Sequence, residues 1–462
     1  MPVDIGAGQA RRTRRGPLSR VMPKIARDPV NGLAEIGMRA GGEVVRLKLG
    51  LFRPYLVTHP DHVQHVLRGN WTNYTRQGMF WRPLNRLLGA GILGDGPSWE
   101  SSRKILQALF TAKYIASLAG VVAKTVDERV AELEEHARSG SPVDAAHEMA
   151  AIVNQSTVRV LFGDRISRRD SERLMSAYHT ADAAVTFRLL MPFMPYSLRM
   201  PGDRAFMDAV GAVDDVVFPV IRQAKERPGT GEGLDVVSAL CRARGPGGEE
   251  RDDRQIRDDL VSVYAAASET TATTLTWLWP DLDAHPEVAA RLYAEIDRVV
   301  GTGPVLPSHV PELRYTKMVL QEVMRLHPAG WLFPRMAVRD EIVGGVRVRA
   351  GSMVLISPYA THRLEEFWDR PLEFDPERFS PDDQRRRHRY AYFPFGGGAH
   401  QCLGQHLFYM DAPLMVASIV SRFRPALLGR GPFTPAPTAL LRPRGKVELR
   451  LLPVEYAARG SR

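Results

Sequence analysis

The stretch from Phe395 to Gly404 reads Phe-Gly-Gly-Gly-Ala-His-Gln-Cys-Leu-Gly, and it contains one of the two cysteines in a chain of 462 residues. Two cysteines cannot build a disulfide framework, so Cys402 needs another use. The surrounding glycines allow the backbone to approach another group closely and to turn N–H groups toward a sulfur atom. The sequence therefore predicts a turn that presents one thiolate to an iron centre, with a buried and inert cysteine as the alternative.

The composition is that of an ordinary globular protein, with 44% hydrophobic and 25% charged residues. By length the chain could hold two or three domains or one large enzyme core, and we take residues 23–462 as a single catalytic domain. It shows no apolar run of about 18 residues and no signal-peptide core, which predicts a cytoplasmic protein without a membrane anchor.

The net charge of +10 is compatible with nucleic acid, a membrane surface or an acidic protein as partner. Arginines alternate with acids on amphipathic helices, which favours an acidic protein and argues against nucleic acid. Residues 1–22 combine arginines with Gly and Pro and have little apolar surface, so they are predicted to form a mobile basic arm. A membrane-surface or targeting role is the alternative for this arm.

Helical periodicity dominates the chain, and short strands are predicted around it. Residues 44–57 predict a hairpin, residues 338–359 predict antiparallel strands, and residues 70–96 predict an irregular aromatic segment. Asp252 opens a long helix that should run to about Ala284. Pro280 is expected to kink that helix before its end.

The middle of the long helix contains Glu269 and Thr270, followed by a second threonine. An acid beside β-branched alcohols is an unfavourable choice inside a helix, which indicates a function. The alternative is a threonine hydroxyl that binds the carbonyl of the preceding turn.

Two pairs of side chains have helical spacing. Trp99 and Arg103 are four residues apart, so an indole N–H and a guanidinium could bind the same anion, unless they form a surface cation–π contact. Glu322 and Arg325 are three apart, a spacing that usually gives a modest surface pair.

The spacing around Cys402 resembles the haem-ligand loop of the cytochrome P-450 monooxygenases. The Trp-x-x-x-Arg pair, the Glu-Thr pair, the Glu-x-x-Arg helix and Pro376-Glu-Arg-Phe379 resemble further elements of that family and occur in its order. The resemblance extends from about residue 40 to 450. It implies a mainly α fold with a minor antiparallel β region, a triangular helical prism around one buried haem b.

The resemblance assigns roles to individual residues. Cys402 would be the iron ligand, Phe395 would shield its sulfur, Glu269 and Thr270 would deliver protons beside Ala267, and Glu322, Arg325 and Arg378 would form a buried charge cluster. Haem propionates would bind Trp99, Arg103, Arg335 and His400. Two positions depart from the family pattern: Ala267 replaces a glycine and narrows the groove, and His400 replaces the commoner arginine, so its bond depends on tautomer or protonation.

Position in the family also gives a set of substrate residues, which comprises Phe80, Trp81, Phe187, Val263, Ala266, Leu332, Phe333 and Leu440. Nearly all are apolar and none offers a buried charge, so a hydrocarbon-like ligand held by shape is predicted. Residues 183–200, interrupted by Pro192 and Pro195, predict an apolar loop between two helices. The resemblance implies that this loop is a lid over the substrate, and packing on the core is the alternative. Ile356-Ser-Pro-Tyr-Ala360 resembles bacterial terpene oxidases that act on pentalenene or epi-isozizaene, which implies a sesquiterpene or other terpenoid of secondary metabolism.

The implied reaction uses O2 and electrons from an acidic ferredoxin and its reductase. The arginines at 385–387 and 389 would form the docking surface, and a solvated face is the alternative. Ala267 also leaves open ring closure, C–N bond formation or peroxide-driven oxidation, although peroxide users replace the acid–alcohol pair by Arg–Pro. A non-catalytic haem sensor is disfavoured because the Glu269–Thr270 pair is present.

Overall fold

A computed structural model describes residues 25, 27–50, 52–191, 194–227, 235–245, 248–301, 303–429 and 431–454. The predicted basic arm at residues 1–22 lies outside them. The chain divides into two compact units. Unit 1 contains residues 1–80, 324–373 and 380–402, and unit 2 contains residues 81–323, 374–379 and 403–462.

Helices make up most of the described chain, as the sequence predicts. In chain order they are α1 (Pro29–Arg39), α2 (Pro60–Gln64), α3 (Trp81–Leu88), α4 (Pro97–Leu109), α5 (Ala112–Ala131), α6 (Glu134–Ser139), α7 (Ala145–Phe162), α8 (Arg168–Leu190), α9 (Asp203–Glu226), α10 (Val236–Arg242), α11 (Asp253–Ala284), α12 (Pro286–Val300), α13 (Arg314–Leu326), α14 (Pro358–Thr361), α15 (Pro381–Arg386) and α16 (Gln405–Arg422).

The strands are short and form small sheets. In chain order they are β1 (Val45–Arg46), β2 (Tyr55–Val57), β3 (Tyr74–Thr75), β4 (Val143–Asp144), β5 (Phe333–Ala337), β6 (Glu341–Val343), β7 (Val346–Val348), β8 (Met353–Ile356), β9 (Phe423–Leu428), β10 (Pro435–Pro437), β11 (Leu441–Pro443) and β12 (Glu448–Pro453).

Unit 1 is built on a five-stranded sheet in the order β1-β2-β8-β5-β3. The predicted hairpin is confirmed, since Val45 lies opposite Leu56 in the antiparallel pair β1–β2. β6 and β7 form a second antiparallel pair, as predicted for residues 338–359. Only the pair β2–β8 is parallel among the described strands of this sheet. Buried side chains of these strands pack with Tyr390 and Phe393, close to the cysteine turn in sequence.

Unit 2 is organised around α11. The carboxylate of Asp252 caps this helix by accepting a hydrogen bond from the backbone N–H of Arg254 at 2.7 Å. The predicted start and end of the helix are confirmed, and Pro280 lies inside it. The indole N–H of Trp277 donates to the carbonyl oxygen of Leu441 at 2.6 Å, which fixes β11 against α11.

The aromatic segment 70–96 is more ordered than the sequence predicts. β3 and α3 lie within it, and α3 buries Pro83, Leu87 and Leu88. A proline near a helix start removes no hydrogen bond, which explains why Pro83 does not prevent the helix. The prediction of an irregular segment is therefore wrong for residues 81–88.

Two buried carboxylates of α11 hold the connection between α3 and α4. Asp258 accepts a hydrogen bond from the backbone N–H of Ala90, and Asp259 accepts one from the N–H of Ile92, both at 3.1 Å. Asp259 is itself bound by the Arg251 guanidinium at 2.7 Å, although burial raises its pKa. We refer to these contacts as the α11 latch.

The predicted lid also begins later than expected, because α8 continues to Leu190 before the chain leaves the helix. Pro192 lies outside the described residues.

Within the described ranges, no single helix is long and apolar enough to cross a membrane. The bent pair Pro97–Leu109 and Ala112–Ser139 meets the length and composition limits together.

Candidate active site

The cysteine turn lies in unit 1, between β8 and α16 in the chain. Its backbone closes through a hydrogen bond from the N–H of Cys402 to the carbonyl oxygen of Phe395 at 2.9 Å. Gly396 and Gly398 have φ values of +67° and +68°, a conformation that L side chains rarely adopt. A Cβ on Gly398 would overlap the carbonyl oxygen of Leu67. The glycines therefore fix the turn, and it presents Cys402 as an exposed residue.

The second cysteine has a different environment. Cys241 is half-buried on α10, and burial raises the pKa of its thiol to about 11. A thiol with a raised pKa is a poor source of thiolate. Cys402 is thus the better candidate for a metal ligand.

His400 and Arg335 are the predicted propionate ligands of unit 1. His400 is buried, its ring meets that of Trp71 edge-on at 5.5 Å, and its carbonyl oxygen accepts a hydrogen bond from Arg76 at 3.2 Å. Arg335 is buried on β5 and donates to the carbonyl oxygen of Pro334 at 2.9 Å. Phe333 begins β5 and lies beside Gly396. These side chains and the cysteine turn belong to the same unit.

Trp99 and Arg103 are the predicted propionate ligands of unit 2. Both lie on α4, one turn apart, with Trp99 buried and Arg103 half-buried. Their spacing places them on one face of the helix, as the sequence predicts.

The substrate residues predicted by position are distributed over both units. Phe80, Leu332 and Phe333 are half-buried in unit 1, and the Phe80 ring packs edge-on against Phe52 at 5.9 Å. The unit 2 members are Trp81 at the start of α3, Val263 and Ala266 on α11, and Leu440 just before β11. The side chain of Phe187 lies outside the described residues.

The middle of α11 is less buried than the segments 256–264 and 271–280 on either side of it. Val263 is buried, Ala267 is half-buried and Ala266 is exposed. The hydroxyl of Thr270 donates to the carbonyl oxygen of Ala266 at 2.6 Å. This is the hydrogen bond to the preceding turn that the sequence left open as an alternative.

Glu269 is held by residues from two other elements. One carboxylate oxygen lies 3.1 Å from Nε2 of His179 on α8, and the other lies 2.6 Å from Nη2 of Arg442 on β11. The same Nη2 lies 3.1 Å from a carboxylate oxygen of Asp182. Burial alone would raise the pKa of Glu269, but the His179 hydrogen bond and the Arg442 charge outweigh it and lower the pKa. Glu269 is therefore ionised at neutral pH.

Sequence reasoning missed His179, Asp182 and Arg442. No local spacing connects them to Glu269, because α8 and β11 are far from it in the chain. The hydrogen bond to Glu269 raises the pKa of His179, against the effect of burial.

The predicted structural charges are Glu322, Arg325 and Arg378, and each of them is buried. Glu322 is fully buried in unit 2, where it accepts a hydrogen bond from the N–H of Asp375 at 2.8 Å and lies 3.5 Å from Nε of Arg378. Arg325 is fully buried in unit 1 and donates to the carbonyl oxygens of His362, Pro371 and Glu373 at 2.6–3.0 Å. The structure thus pairs Glu322 with Arg378, and it places Arg325 among backbone carbonyls.

The donor set fits a haem iron. One exposed cysteine is presented by a turn that has no room for side chains at Gly398. In the part of the chain that the structure describes, no group of three or more His, Cys, Asp or Glu could hold a metal ion. A metal at Cys402 would therefore have to bring most of its ligands with it, as the iron of a porphyrin does.

Comparison with known proteins identifies the class. The family model described as Cytochrome P450 matches residues 25–451, and the chain belongs to this family of haem-dependent monooxygenases. Its cofactor is haem b. A solved structure, the haem domain of cytochrome P450DA, has the same fold with a TM-score of 0.82 at 22% sequence identity, over 94% of each chain.

Three relatives from streptomycetes are similar over most of the chain. Cyclooctatin synthase of Streptomyces melanosporofaciens is 32% identical over 92% of this chain and 90% of its own length. Cyclooctat-9-en-7-ol 5-monooxygenase of the same organism is 33% identical over 86% of this chain and 85% of its own. Pentalenene oxygenase of Streptomyces avermitilis is 27% identical over 87% and 88%. The protein is therefore a P450 monooxygenase related to terpenoid-oxidising bacterial enzymes.

Proposed function

We propose that this enzyme hydroxylates a cyclic terpenoid, using O2 and electrons from an acidic ferredoxin. The observation that carries the proposal is the similarity to cyclooctatin synthase over 92% of the chain. The predicted substrate residues on α11 and next to β11 support it. Val263, Ala266 and Leu440 are apolar, and apolar side chains suit a hydrocarbon skeleton.

In this proposal one set of residues holds the haem and another set delivers protons. Cys402 would bind the haem iron, Trp99, Arg103, Arg335 and His400 would bind the haem propionates, and Phe395 would shield the sulfur. The bound haem supplies the oxidation chemistry. Monooxygenation consumes two protons per turnover. The ionised carboxylate of Glu269 and the hydroxyl of Thr270 are the groups on α11 that can accept and pass on those protons.

The direct test is a panel of terpenes added to the purified haem enzyme. A bound substrate should shift the Soret maximum, and the same compound should be oxidised when ferredoxin, its reductase and O2 are supplied. The proposal fails if compounds of other classes bind and are turned over while no terpenoid does either.

A second outcome has support in the middle of α11. Ala267 stands where the family usually has glycine, and the hydroxyl of Thr270 is engaged by the carbonyl of Ala266. Both features favour a haem-thiolate enzyme with another outcome, such as ring closure, C–N bond formation or peroxide-driven oxidation. Turnover with hydrogen peroxide alone that exceeds turnover with ferredoxin and O2 would support this second function over the first.

The ferredoxin partner is supported by the exposed arginines of α15 and the residues after it. Arg385, Arg386 and Arg389 are exposed, and they belong to the unit that contains the cysteine turn. Opposite charges steer association in a salt-dependent way. The double variant Arg385→Glu/Arg386→Glu should raise the KM for ferredoxin about 10-fold, with a loss of salt dependence. Charge reversal at the exposed Arg204 of unit 2 serves as the control.

A further inference from the structure

Four titratable side chains meet on three elements of unit 2. His179 and Asp182 lie on α8, Glu269 lies on α11 and Arg442 lies on β11, and their contacts measure 2.6–3.1 Å. We refer to them as the polar cluster. The sequence predicts a site without buried charge, so this cluster requires an explanation of its own.

The polar cluster shares its elements with predicted substrate residues. Ala266 precedes Glu269 by three residues, which makes the two neighbours on the surface of α11. Leu440 precedes Arg442 by two residues, and the N–H of Arg442 donates to the carbonyl oxygen of Leu440 at 3.0 Å, which keeps the two residues close together. The hydrogen bond from the Trp277 indole to the carbonyl oxygen of Leu441 fixes the start of β11 against α11. Charged and apolar groups thus lie close together on α11 and at the start of β11.

The cluster is surrounded by protein but not closed. Burial raises the pKa of Asp182 despite the nearby Arg442 charge. The side chains of His179, Arg442 and Asp182 nevertheless keep 41%, 34% and 30% of their surface accessible. A ligand can therefore reach polar groups that are already partly desolvated.

Arg442 has hydrogen-bond capacity left over. A guanidinium carries five N–H donors, and Nη2 makes the contacts with both Glu269 and Asp182. Its Nε and Nη1 have no partner among the residues that the structure describes. An oxygen atom of a ligand could accept from these donors, whereas a pure hydrocarbon could not.

We propose that the substrate carries a hydroxyl group that binds the polar cluster, so that the enzyme acts on a terpenoid that is already oxygenated. This inference rests on the proposed function and specifies its substrate class. The hydroxyl oxygen accepts from Arg442, and the hydroxyl proton is donated to a carboxylate of the cluster. An earlier hydroxylation, or a cyclisation that ends with capture of water, must then supply the substrate.

The test compares matched ligands that differ only in the hydroxyl group. Cyclooctat-9-en-7-ol and its 7-deoxy hydrocarbon form one pair, and farnesol and farnesene form a second. Dissociation constants are measured on the haem enzyme from the Soret shift and, independently, from ligand-induced thermal stabilisation. We expect an alcohol to bind about 10- to 100-fold more tightly than its hydrocarbon, the range for a hydrogen bond to charged groups.

Variants assign the preference to the cluster. Arg442→Met and, separately, His179→Leu should reduce the ratio within a pair to about 3-fold or less, while the hydrocarbon binds as before. Arg450→Met, at an exposed arginine of β12, is the matched control and should keep the full ratio. If Arg442→Met does not fold, Arg442→Lys keeps a charge and is expected to retain part of the ratio.

The outcomes separate this inference from the proposed function. Equal binding of alcohol and hydrocarbon overturns the hydroxylated substrate but leaves a terpenoid oxidase. A preference that persists in Arg442→Met and His179→Leu overturns the role of the cluster. If no terpene of either kind binds while other compounds do, the proposed function itself fails.

Discussion

The cysteine turn of unit 1 and the middle of α11 in unit 2 carry the two motifs most typical of the family, and different forces hold them. In the turn, backbone hydrogen bonds and glycine conformations place Cys402. In α11, side chains from α8 and β11 place Glu269. The interactions that place Cys402 lie within ten consecutive residues. The interactions that place Glu269 come from residues that are far apart in the chain.

This difference shows which substitutions each region tolerates. The turn should fail when its backbone cannot adopt the required conformation, and the α11 region should respond to charge.

Replacing Cys402 by Ser should abolish the thiolate-type Soret band of the reduced carbon-monoxide complex and all ferredoxin-dependent turnover. Oxygen from serine does not reproduce the electron donation of a thiolate. Cys241→Ser should leave the difference spectrum unchanged, since that thiol is half-buried on α10. A normal band in Cys402→Ser would remove the assigned iron ligand.

Changes at the proton-delivery pair should be severe but incomplete. Glu269→Gln and Thr270→Ala should each lower product formation per electron consumed by about 100-fold, the lower range for positioned acid–base groups. Thr270→Ser keeps the hydroxyl and should retain most of the coupling. If Thr270→Ala couples as well as the parent enzyme, the hydroxyl has only the structural bond to Ala266.

Gly398→Ala tests directly whether the cysteine turn depends on its glycine backbone conformation. Alanine at φ +68° costs about 1–3 kcal/mol in conformational energy, and its Cβ would overlap the carbonyl of Leu67 in addition. Chemical unfolding should show a loss of at least about 2 kcal/mol. Gly211→Ala, in open space on helix α9, is the control and should be neutral or slightly stabilising.

Asp411→Asn tests through pH how a buried carboxylate held by a side chain from another helix affects stability. Asp411 is fully buried on α16, where the Ser156 hydroxyl lies 3.0 Å from both carboxylate oxygens, and burial raises its pKa to about 7. The folded protein therefore binds a proton that the unfolded chain releases near pH 4, so stability falls as the pH rises from about 4 to 7.

Relative to Asp411→Asn, the parent protein should lose about 2–3 kcal/mol of unfolding free energy between pH 5 and pH 8. Unfolding titrations at both pH values measure this difference. A difference that is independent of pH would mean that Asp411 does not titrate in this range, and Asp215→Asn, at an exposed position on α9, provides the baseline.

The predictable part of the molecule is the part encoded locally. The helical class, the β1–β2 hairpin, the limits of α11 and the turn before Cys402 all follow from patterns within short windows. The helix α3 was missed because its aromatic and proline-containing sequence has weak propensity, and burial of Leu87 and Leu88 decides its structure instead.

The candidate site divides in the same way. Cys402, Glu269 and Thr270 were identified from spacing, and their roles stay predictions. The polar cluster could not have been found, since the pairing of Arg442 with Glu269 exists only after β11 has packed against α11. The expectation of a substrate region without charge stays a prediction, and the polar cluster is the feature of unit 2 that bears on it.

The α11 latch has a consequence for how fast backbone protons exchange with solvent. The amides of Ala90 and Ile92 belong to a connection between helices, where rapid exchange is usual, yet both are bound by carboxylates of α11. Their exchange should therefore follow the opening of the first turns of α11 instead of local loop motion. Backbone amides in a connecting segment should thus exchange with solvent as slowly as those of a core helix.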